Sequence, residues 1–195
     1  MERIESIENK ENNKKKENKE LLEGFLNIVA GIVIAKLIIV FLFSFARVNG
    51  DSMTNNFYNN EIVGMERISI KMNNINRYDV VIVQSDALDE LIIKRVYGLP
   101  GETVSVKDNG KIFIDGKEIN DPYAKKEPYY GPAVTRVLGK SEYFVMGDNR
   151  NNSEDSRYDV VGAIDSSKIQ GKVCIAFSVK KSYFGLINNK TNHNN

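Results

Sequence analysis

The feature that most constrains this chain is an apolar stretch that runs from Gly24 to Ala46. Three polar residues interrupt it: Asn27, Lys36 and Ser44. As a helix rising about 1.5 Å per residue, the stretch would be roughly 34 Å long, which is enough to cross a bilayer. The sequence therefore predicts a membrane anchor near the N-terminus, followed by a separate folded domain.

The charges on the two sides of this stretch predict its orientation. Six lysines and arginines lie within residues 1–20, whereas Arg47 is the single one between Ala46 and Arg67. Because the cytoplasmic flank of a span carries the excess of Lys and Arg, we expect a cytoplasmic N-terminus in a single-pass protein of the cell membrane, with residues 47 onward outside. Lys36 could face a partner within the bilayer or snorkel to its surface, and we favour a lysine that is merely tolerated in a single span.

A cleavable signal peptide is the competing interpretation of the same stretch. The segment "LIIVFLFSFA" has a short apolar core followed by the small residues Ser44 and Ala46. However, the whole apolar stretch is long, and about twenty polar residues precede it, so we favour a retained anchor.

The length and net charge of the chain limit its domain organisation and its partners. It has 195 residues and a formal net charge of +1, which suits one modest domain with appendages and gives no reason to expect a nucleic-acid partner. We expect a charged tail over residues 1–20, disordered or a frayed helix, and an anchor over 21–46. A folded domain over 47–182 and a polar tail over 183–195 complete the predicted organisation, in a monomeric protein.

The single cysteine and the single histidine exclude two kinds of site. Cys174 lies in the apolar run "VCIAFSV" and is expected to be a buried structural thiol, because no second cysteine exists to pair with it. His193 lies in the polar end "NNKTNHNN", where we expect a frayed, solvated terminus. A zinc site of the His/Cys type and a Ser-His-Asp triad are therefore not expected, and no cofactor is implied.

Residues 47 to about 180 carry the pattern of a β protein. Short runs rich in Val, Ile, Phe and Tyr alternate with turn residues such as Asp115-Gly116. The predicted strands are "EIVGMERISI", "DVVIVQ", "LIIKRVYG", "ETVSVK", "KIFID", "EYFVMGD" and "GKVCIAFSV". The predicted fold class is mostly β, an antiparallel barrel or sandwich with one N-terminal transmembrane helix. The segment "NDPYAKKEPYYGPAVTRVLGKS" is expected to be a long irregular insertion.

One lysine stands out in the strand "LIIKRVYG", residues 91–98. Alternate residues of a strand share a face, so Ile92, Lys94 and Val96 point one way. If that face is buried, desolvation lowers the pKa of the Lys94 ammonium and makes the neutral amine a competent general base. If instead the strand lies at an edge, Lys94 is an ordinary solvated lysine. The strand alone leaves both interpretations open.

Two polar segments are candidates for loops with a function. "VNGDSMTNN" begins two residues after the apolar stretch and places Ser52 in a glycine turn. "GDNRNNSEDSR", residues 147–157, concentrates Ser, Asp, Asn and Arg more densely than a simple connection needs, although a polar turn would explain it too.

Taken together, these segments resemble bacterial type I signal peptidases, the membrane-anchored serine/lysine endopeptidases that release exported proteins. The matching segments occur in the family's order through nearly the whole chain after residue 20. They are the anchor, "GDSM", "RYDVVIV", "KRVYGLPGETV", the hairpin "VSVKDNGKIFIDGKEIN" and "YFVMGDNRNNSEDSR". Motifs such as "KRVYGLPG" and "GDNRNNSEDSR" are specific at this spacing.

The resemblance implies a role for each residue that matches a family motif. Ser52 would be the nucleophile and Lys94 the general base, so that no histidine is needed. Ser153 would orient the Lys94 amine, and Asp155 with Arg157 would brace the site as an ion pair. The remaining motif residues expected to support the site are Gly50, Met53, Arg95 and Asp148. The backbone N–H of Ser52 would contribute to an oxyanion hole, whereas Gly50 lacks the serine hydroxyl that some members offer as a second donor.

Two departures from the family pattern affect the shape of the substrate pocket. Asn55 and Asn56 stand where the family usually has Pro-Thr, and losing the proline removes a φ constraint beside the nucleophile. We therefore expect a looser backbone there that would accept Pro-Thr with activity kept or raised. Tyr78 stands where the family usually has glycine.

The resemblance implies a membrane-bound serine endopeptidase that removes signal peptides from exported preproteins. The substrate would bind as an added β-strand and be cut after small residues in an Ala-x-Ala pattern. One alternative, motivated by "MTNNF", is a degenerate homologue that binds exported proteins without cutting them. A second, a self-cleaving Ser/Lys regulator fused to a DNA-binding domain, is disfavoured because the N-terminus is a charged tail and a span with no helix-turn-helix.

Overall fold

A computed structural model describes residues 2–86, 88–178 and 183–187 of the chain. It divides into two compact units, residues 1–42 and residues 43–195. His193, expected in a solvated tail, lies outside the described residues.

The first unit is one helix, α1, Glu2–Leu42. Its part from Asn18 to Leu42 is long and apolar enough to cross a membrane, with a mean hydropathy of 2.7. The helix ends four residues before the predicted Ala46, because Phe43–Arg47 instead form strand β1 and pair with β2. Phe43 and Phe45 favour an extended backbone once a partner strand is available to satisfy their backbone groups.

The second unit is built from short strands, as predicted, with one turn of helix, α2, Ile68–Lys71. The strands in chain order are β1 Phe43–Arg47, β2 Ile62–Glu66, β3 Val80–Ser85, β4 Glu90–Gly98, β5 Thr103–Val106, β6 Ile112–Ile114, β7 Lys117–Ile119, β8 Val134–Val137, β9 Glu142–Met146, β10 Ile164–Asp165, β11 Ile169–Ser178 and β12 Tyr183–Leu186.

These strands form two antiparallel sheets. The larger sheet has eight strands in the order β1-β2-β11-β3-β4-β9-β10, with β12 paired to β11. The smaller sheet has four strands in the order β7-β6-β5-β8. Mostly antiparallel β structure with one N-terminal apolar helix confirms the predicted fold class.

Strand β4 is an inner strand of the larger sheet, and from Ile92 onward it is buried on both faces. Ile92 and Val96 pack on one face with Val81 and Val83, whereas Ile93 packs on the other. β4 pairs with β3 over residues 90–95, but with β9 only at Arg95, Val96 and Gly98. The first half of β4 therefore has one edge without a partner strand in the described part of the sheet, and a cleft opens there.

Several local predictions differ from the structure. "ISI" in the first predicted strand, "EIVGMERISI", is helical, because the Glu66 carboxylate accepts from Ser69 N at 2.9 Å and starts a turn of helix. The predicted irregular insertion contains β8, and β12 extends the sheet past residue 182.

Cys174 is half-buried rather than fully buried. The register of β11 against β2 shifts between Val173 and Ile175, which leaves Cys174 as the extra residue of a bulge. Burial, followed by the charge of Glu66, raises the pKa of the Cys174 thiol above its usual value.

Candidate active site

Ser52 lies in a tight turn that begins at Gly50. Gly50 has a φ of +87°, a conformation that a residue without Cβ adopts at no steric cost. Thr54 N donates to Asp51 O at 3.0 Å, and Phe57 N donates to Met53 O at 2.9 Å. We call residues 50–57 the nucleophile turn. Met53 and Phe57 are buried in the core and fix the turn to it.

The side chain of Lys94 reaches the Ser52 hydroxyl. Lys94 Nζ and Ser52 Oγ are 2.8 Å apart, within hydrogen-bond distance. Lys94 is 4% exposed, so the structure decides for the buried interpretation of its strand face. Burial lowers the pKa of Lys94, and the charge of Asp155 opposes this only in part. Among the described residues, no carboxylate oxygen lies within 4 Å of the Lys94 amine.

A buried ion pair lies in the loop 147–157, which we call the catalytic loop. Arg157 Nε donates to Asp155 Oδ1 at 2.7 Å, and both side chains are fully buried. Asp155 Oδ2 accepts from Gly147 N at 2.9 Å and from the Ser153 hydroxyl at 2.6 Å. Burial lowers the pKa of Arg157, but the hydrogen bonds and charge of Asp155 together with Tyr129 outweigh it and raise the pKa.

The catalytic loop contacts the nucleophile turn at close range. Asn149 N donates to Ser52 O at 2.9 Å, and Asn149 Nδ2 donates to Asp51 O at 3.1 Å. A Cβ added at Gly147 would lie 2.5 Å from Ser52 O and closer still to the Ser153 hydroxyl. Glycine at 147 is therefore what allows the loop and the turn to approach one another.

The opposite face of β4 carries a second buried cation. Arg95 Nε and Nη2 donate to Asp148 Oδ1 and Oδ2 at 2.8 and 2.7 Å, and Arg95 is 2% exposed. Its Nη1 donates to Tyr78 O at 2.9 Å, and the guanidinium carbon lies 3.8 Å from the centre of the Tyr123 ring. Arg95 is thus held by a bidentate carboxylate, a backbone carbonyl and an aromatic face.

Ser52 and Lys94 line an open cleft of about 380 Å³. One wall is the first half of β4, residues 90–94, and the other residues lining it include Asn49, Leu88, Asn152 and Glu154. In the described part of the chain, no group of three or more His, Cys, Asp or Glu side chains is placed to hold a metal ion. The cleft thus offers a hydroxyl, an amine of lowered pKa and a strand edge, which are the components of acyl transfer to a serine.

Comparison with known proteins identifies the family. The model of the family described as "Signal peptidase, peptidase S26" matches residues 21–178. The chain belongs to this family. It is 35% identical over 173 residues to a signal peptidase I of Bacillus licheniformis, covering 84% of this chain and 90% of that protein. It is 36% identical over 166 residues to signal peptidase I S of Bacillus subtilis strain 168, covering 78% and 86%.

A crystal structure of a signal peptidase I from Enterococcus faecalis V583 is 29% identical, with a TM-score of 0.43 over 50% of this chain and 95% of that chain. The resemblance to bacterial type I signal peptidases is confirmed by the family match and by the Bacillus relatives. The family consists of serine peptidases, hydrolases that process signal peptides, so the activity to be explained is hydrolysis of a peptide bond.

The structure brings nearly all the residues singled out from the sequence to one place. Ser52 and Lys94 are adjacent, and Asp155 pairs with Arg157. The Ser153 hydroxyl donates to Asp155, and the hydrogen bond described for Lys94 Nζ is to Ser52. Gly50 supplies the positive φ of the turn, and its N–H donates to Asn59 Oδ1 at 3.2 Å.

Two residues connect the loops, of which sequence reasoning missed Asn149 and noted Asn56 only as a departure from the family pattern. Asn149 bonds the nucleophile turn through its backbone and its side chain. Asn56 Nδ2 donates to Asp148 Oδ2 at 2.8 Å and to Tyr123 O at 3.1 Å. Both are asparagines among many in this chain, and the available signal was only their position inside the two motifs.

Each of the two departures from the family pattern includes a residue of positive φ. Asn55 has a φ of +98° and Tyr78 a φ of +73°. Proline fixes φ near −65°, so the expectation that this turn would accept Pro-Thr at residues 55 and 56 is wrong for this backbone. At Tyr78 a bulky residue replaces the usual glycine at a strain of about 1–3 kcal/mol. Its hydroxyl donates to Asn120 O at 2.6 Å, and its ring packs edge-on against Tyr97.

Proposed function

We propose that this chain is a membrane-anchored endopeptidase in which Ser52 attacks the scissile carbonyl and Lys94 acts as the general base. The observation that carries the proposal is the 2.8 Å approach of the buried Lys94 Nζ to Ser52 Oγ in the cleft. The lowered pKa of Lys94 supports it further, because only the unprotonated amine can accept the serine proton.

Acylation uses these two side chains in sequence. As Ser52 Oγ bonds to the carbonyl carbon, its proton moves to the neutral Lys94 amine, and the carbonyl oxygen becomes an oxyanion. The tetrahedral intermediate then collapses, the carbon–nitrogen bond breaks, and the Lys94 ammonium returns the proton to the leaving amine. The product is an acyl-enzyme on Ser52 with Lys94 neutral again.

Deacylation repeats the same proton transfers with water. Lys94 takes a proton from a water that attacks the ester carbonyl, and the second tetrahedral intermediate collapses with transfer of that proton to Ser52 Oγ. The backbone N–H of Ser52 is one donor for the oxyanion in both steps. Gly50 has no side-chain donor, so any second donor comes from another group that faces the cleft.

The edge of β4 is the proposed binding surface for the substrate. Residues 90–94 pair with β3 on one side only, and their other edge faces the cleft that contains Ser52. An extended signal-peptide end can add to this edge through backbone hydrogen bonds, and small pockets beside it would select small side chains, giving an Ala-x-Ala pattern.

The anchor explains why such a site lies close to the start of the chain. Only nine residues separate Leu42, the end of α1, from Ser52. With the N-terminus in the cytoplasm and the second unit outside, the nucleophile would meet a signal peptide where its span ends at the outer surface. We propose a monomer in the lipid bilayer that acts on preproteins during export.

The experiment that tests this function is cleavage of one preprotein by the purified full-length chain in detergent, followed by N-terminal sequencing of the product. We expect a single cut after a small residue at the end of the signal peptide. Ser52→Ala is the control and should leave the preprotein intact. Binding of the preprotein without any cleavage by the wild type would favour the degenerate homologue instead.

A further inference from the structure

Asn56 lies at the far end of the nucleophile turn and connects it to the opposite face of β4. Its Nδ2 donates to Asp148 Oδ2 at 2.8 Å, and the same oxygen accepts from Arg95 Nη2 at 2.7 Å. Arg95 is the residue next to Lys94. A series of contacts therefore runs from Ser52 through the turn to Asn56, Asp148 and Arg95, and ends at the base.

The catalytic loop holds the nucleophile turn at two points. At the start of the turn, Asn149 donates hydrogen bonds to the carbonyl oxygens of Asp51 and Ser52. At the end of the turn, Asp148 accepts a hydrogen bond from Asn56. Met53 and Phe57 hold the turn on the core, and the contacts at both of its ends fix its orientation relative to the catalytic loop. Ser52 is itself part of the first point, so the second one restricts how its hydroxyl is directed.

The contact differs from what the family's usual residue could make. Threonine offers a single hydroxyl donor, whereas the Asn56 amide uses two N–H groups, one to Asp148 and one to Tyr123 O at 3.1 Å. Tyr123 in turn lies over the Arg95 guanidinium. Asn56 thus donates hydrogen bonds to Asp148 and Tyr123, the two residues whose side chains contact Arg95 on the opposite face of β4.

We propose that Asn56 is a positioning residue that fixes the nucleophile turn to the Arg95–Asp148 ion pair and so sets the approach of Ser52 to Lys94. The inference rests on the proposed Ser/Lys function. Asn56 is itself exposed, and Asp148 keeps both of its Arg95 bonds without it. Water can replace the lost donor, so removing the amide changes the orientation of the turn more than the stability of the fold.

The test compares kcat, KM and the unfolding midpoint of four variants of the full-length enzyme in detergent with one preprotein. Asn56→Ala should lower kcat about 10-fold, and Asn56→Asp about 100-fold, because its carboxylate faces that of Asp148. Asn56→Thr keeps one donor and should recover at least half of the wild-type kcat. KM should stay within about twofold, and the midpoint within about 2 °C, of the wild type. Asn74→Ala, which removes the side chain of another exposed asparagine outside the cleft, is the matched control and should have wild-type kinetics.

Three results would overturn the positioning role. They are a kcat within twofold of wild type for both Ala and Asp, a loss confined to KM, and a loss of activity that merely follows the loss of folded protein. If Asn56→Asp does not fold, Asn56→Ala decides. Ser52→Ala in the same assay separates the two proposals. Cleavage by Ser52→Ala contradicts the catalytic function, whereas a Ser52-dependent enzyme that is indifferent to Asn56 contradicts the positioning role alone.

Discussion

Lys94 and Arg95 are neighbours on β4, point to opposite faces and are both buried, with 4% and 2% of their surfaces exposed. Their partners differ. Arg95 is paired with the Asp148 carboxylate through two hydrogen bonds, whereas Lys94 lies against the neutral hydroxyl of Ser52. We call these two surroundings the paired side and the unpaired side of the strand.

The difference shows that burial alone does not decide the direction in which the pKa of a side chain shifts. On the unpaired side, burial is the largest effect, and the charges of Asp155 and other carboxylates offset only part of it, so the pKa of Lys94 falls. On the paired side, burial also lowers the pKa of Arg95, but the charge and hydrogen bonds of Asp148 outweigh it and raise the pKa. One strand thus supplies an amine of lowered pKa on one face and a fixed cation on the other.

Replacing the lysine of the unpaired side by an arginine, the residue type of the paired side, should have the largest effect on activity. Lys94→Arg keeps the positive charge but removes the ability to release a proton at working pH, so we expect turnover to fall by about 10⁴-fold or more. Lys94→Ala and Ser52→Ala should be similarly inactive. Initial rates of preprotein cleavage measure these losses. A Lys94→Arg enzyme with wild-type turnover would show that Lys94 is not the base.

Removing the partner on the paired side should instead destabilise the fold. Asp148→Asn leaves the Arg95 guanidinium buried without its carboxylate, and we expect the free energy of unfolding to fall by about 3–5 kcal/mol. Chemical denaturation in detergent measures it. Asp86→Asn is the matched control, because Asp86 pairs with Lys168 at the surface, where an ion pair contributes at most about 1 kcal/mol. Equal losses in the two variants would mean that burial of the Arg95 pair carries no special cost.

A methyl group added at residue 147 should push the catalytic loop away from the nucleophile turn. Gly147→Ala places a Cβ 2.5 Å from Ser52 O, and a displacement of Ser52 by about 1 Å should reduce kcat about 100-fold. Gly64→Ala is the control, since its Cβ would meet its nearest neighbour at an ordinary 3.4 Å. If both variants keep wild-type kcat, the close approach at Gly147 is not needed for catalysis.

The smallest effect concerns the backbone of the nucleophile turn on the unpaired side. Asn55 has a φ of +98°, so Asn55→Pro should destabilise the chain by more than about 1 kcal/mol and lower activity. Asn55→Gly suits the same φ and should change stability by no more than about 1 kcal/mol. Thermal unfolding of the two variants compares them. A proline variant as stable as the glycine variant would show that the turn adopts a different backbone.

Much of the sheet could be predicted from the sequence because its central strands are buried on both faces. Runs such as Val80–Ser85 and Glu90–Gly98 are dense in Val and Ile, and no helical period competes with them. Strand β1 could not be separated from the helix before it, because Phe43–Arg47 continue the apolar run and their strand structure depends on pairing with β2. Val134–Val137 is short and alternates with polar residues, so β8 looked like part of a loop.

The candidate site could be predicted from the sequence only through its motifs. Lys94 could be assigned to a strand face, but its burial depends on neighbours such as Val81 that are distant in sequence. The contact between Asn56 and Asp148 joins residues 92 positions apart in two polar loops, and no periodicity or composition signal predicts such a pair. The positive φ of Asn55 and Tyr78 likewise depends on the tertiary fold rather than on residue type.

The most direct test of the difference between the two sides is the pKa of the Lys94 amine itself. Full-length enzyme with isotope-labelled lysine side chains can be titrated by NMR in detergent, and the Lys94 signal is assigned as the one missing from Lys94→Arg. We predict that this signal titrates below the value of about 10.4 for an ordinary lysine, and that kcat/KM rises with pH through the same value. A Lys94 that titrates at or above about 10.4 in the folded enzyme would contradict the claim that burial without a carboxylate partner makes it a base.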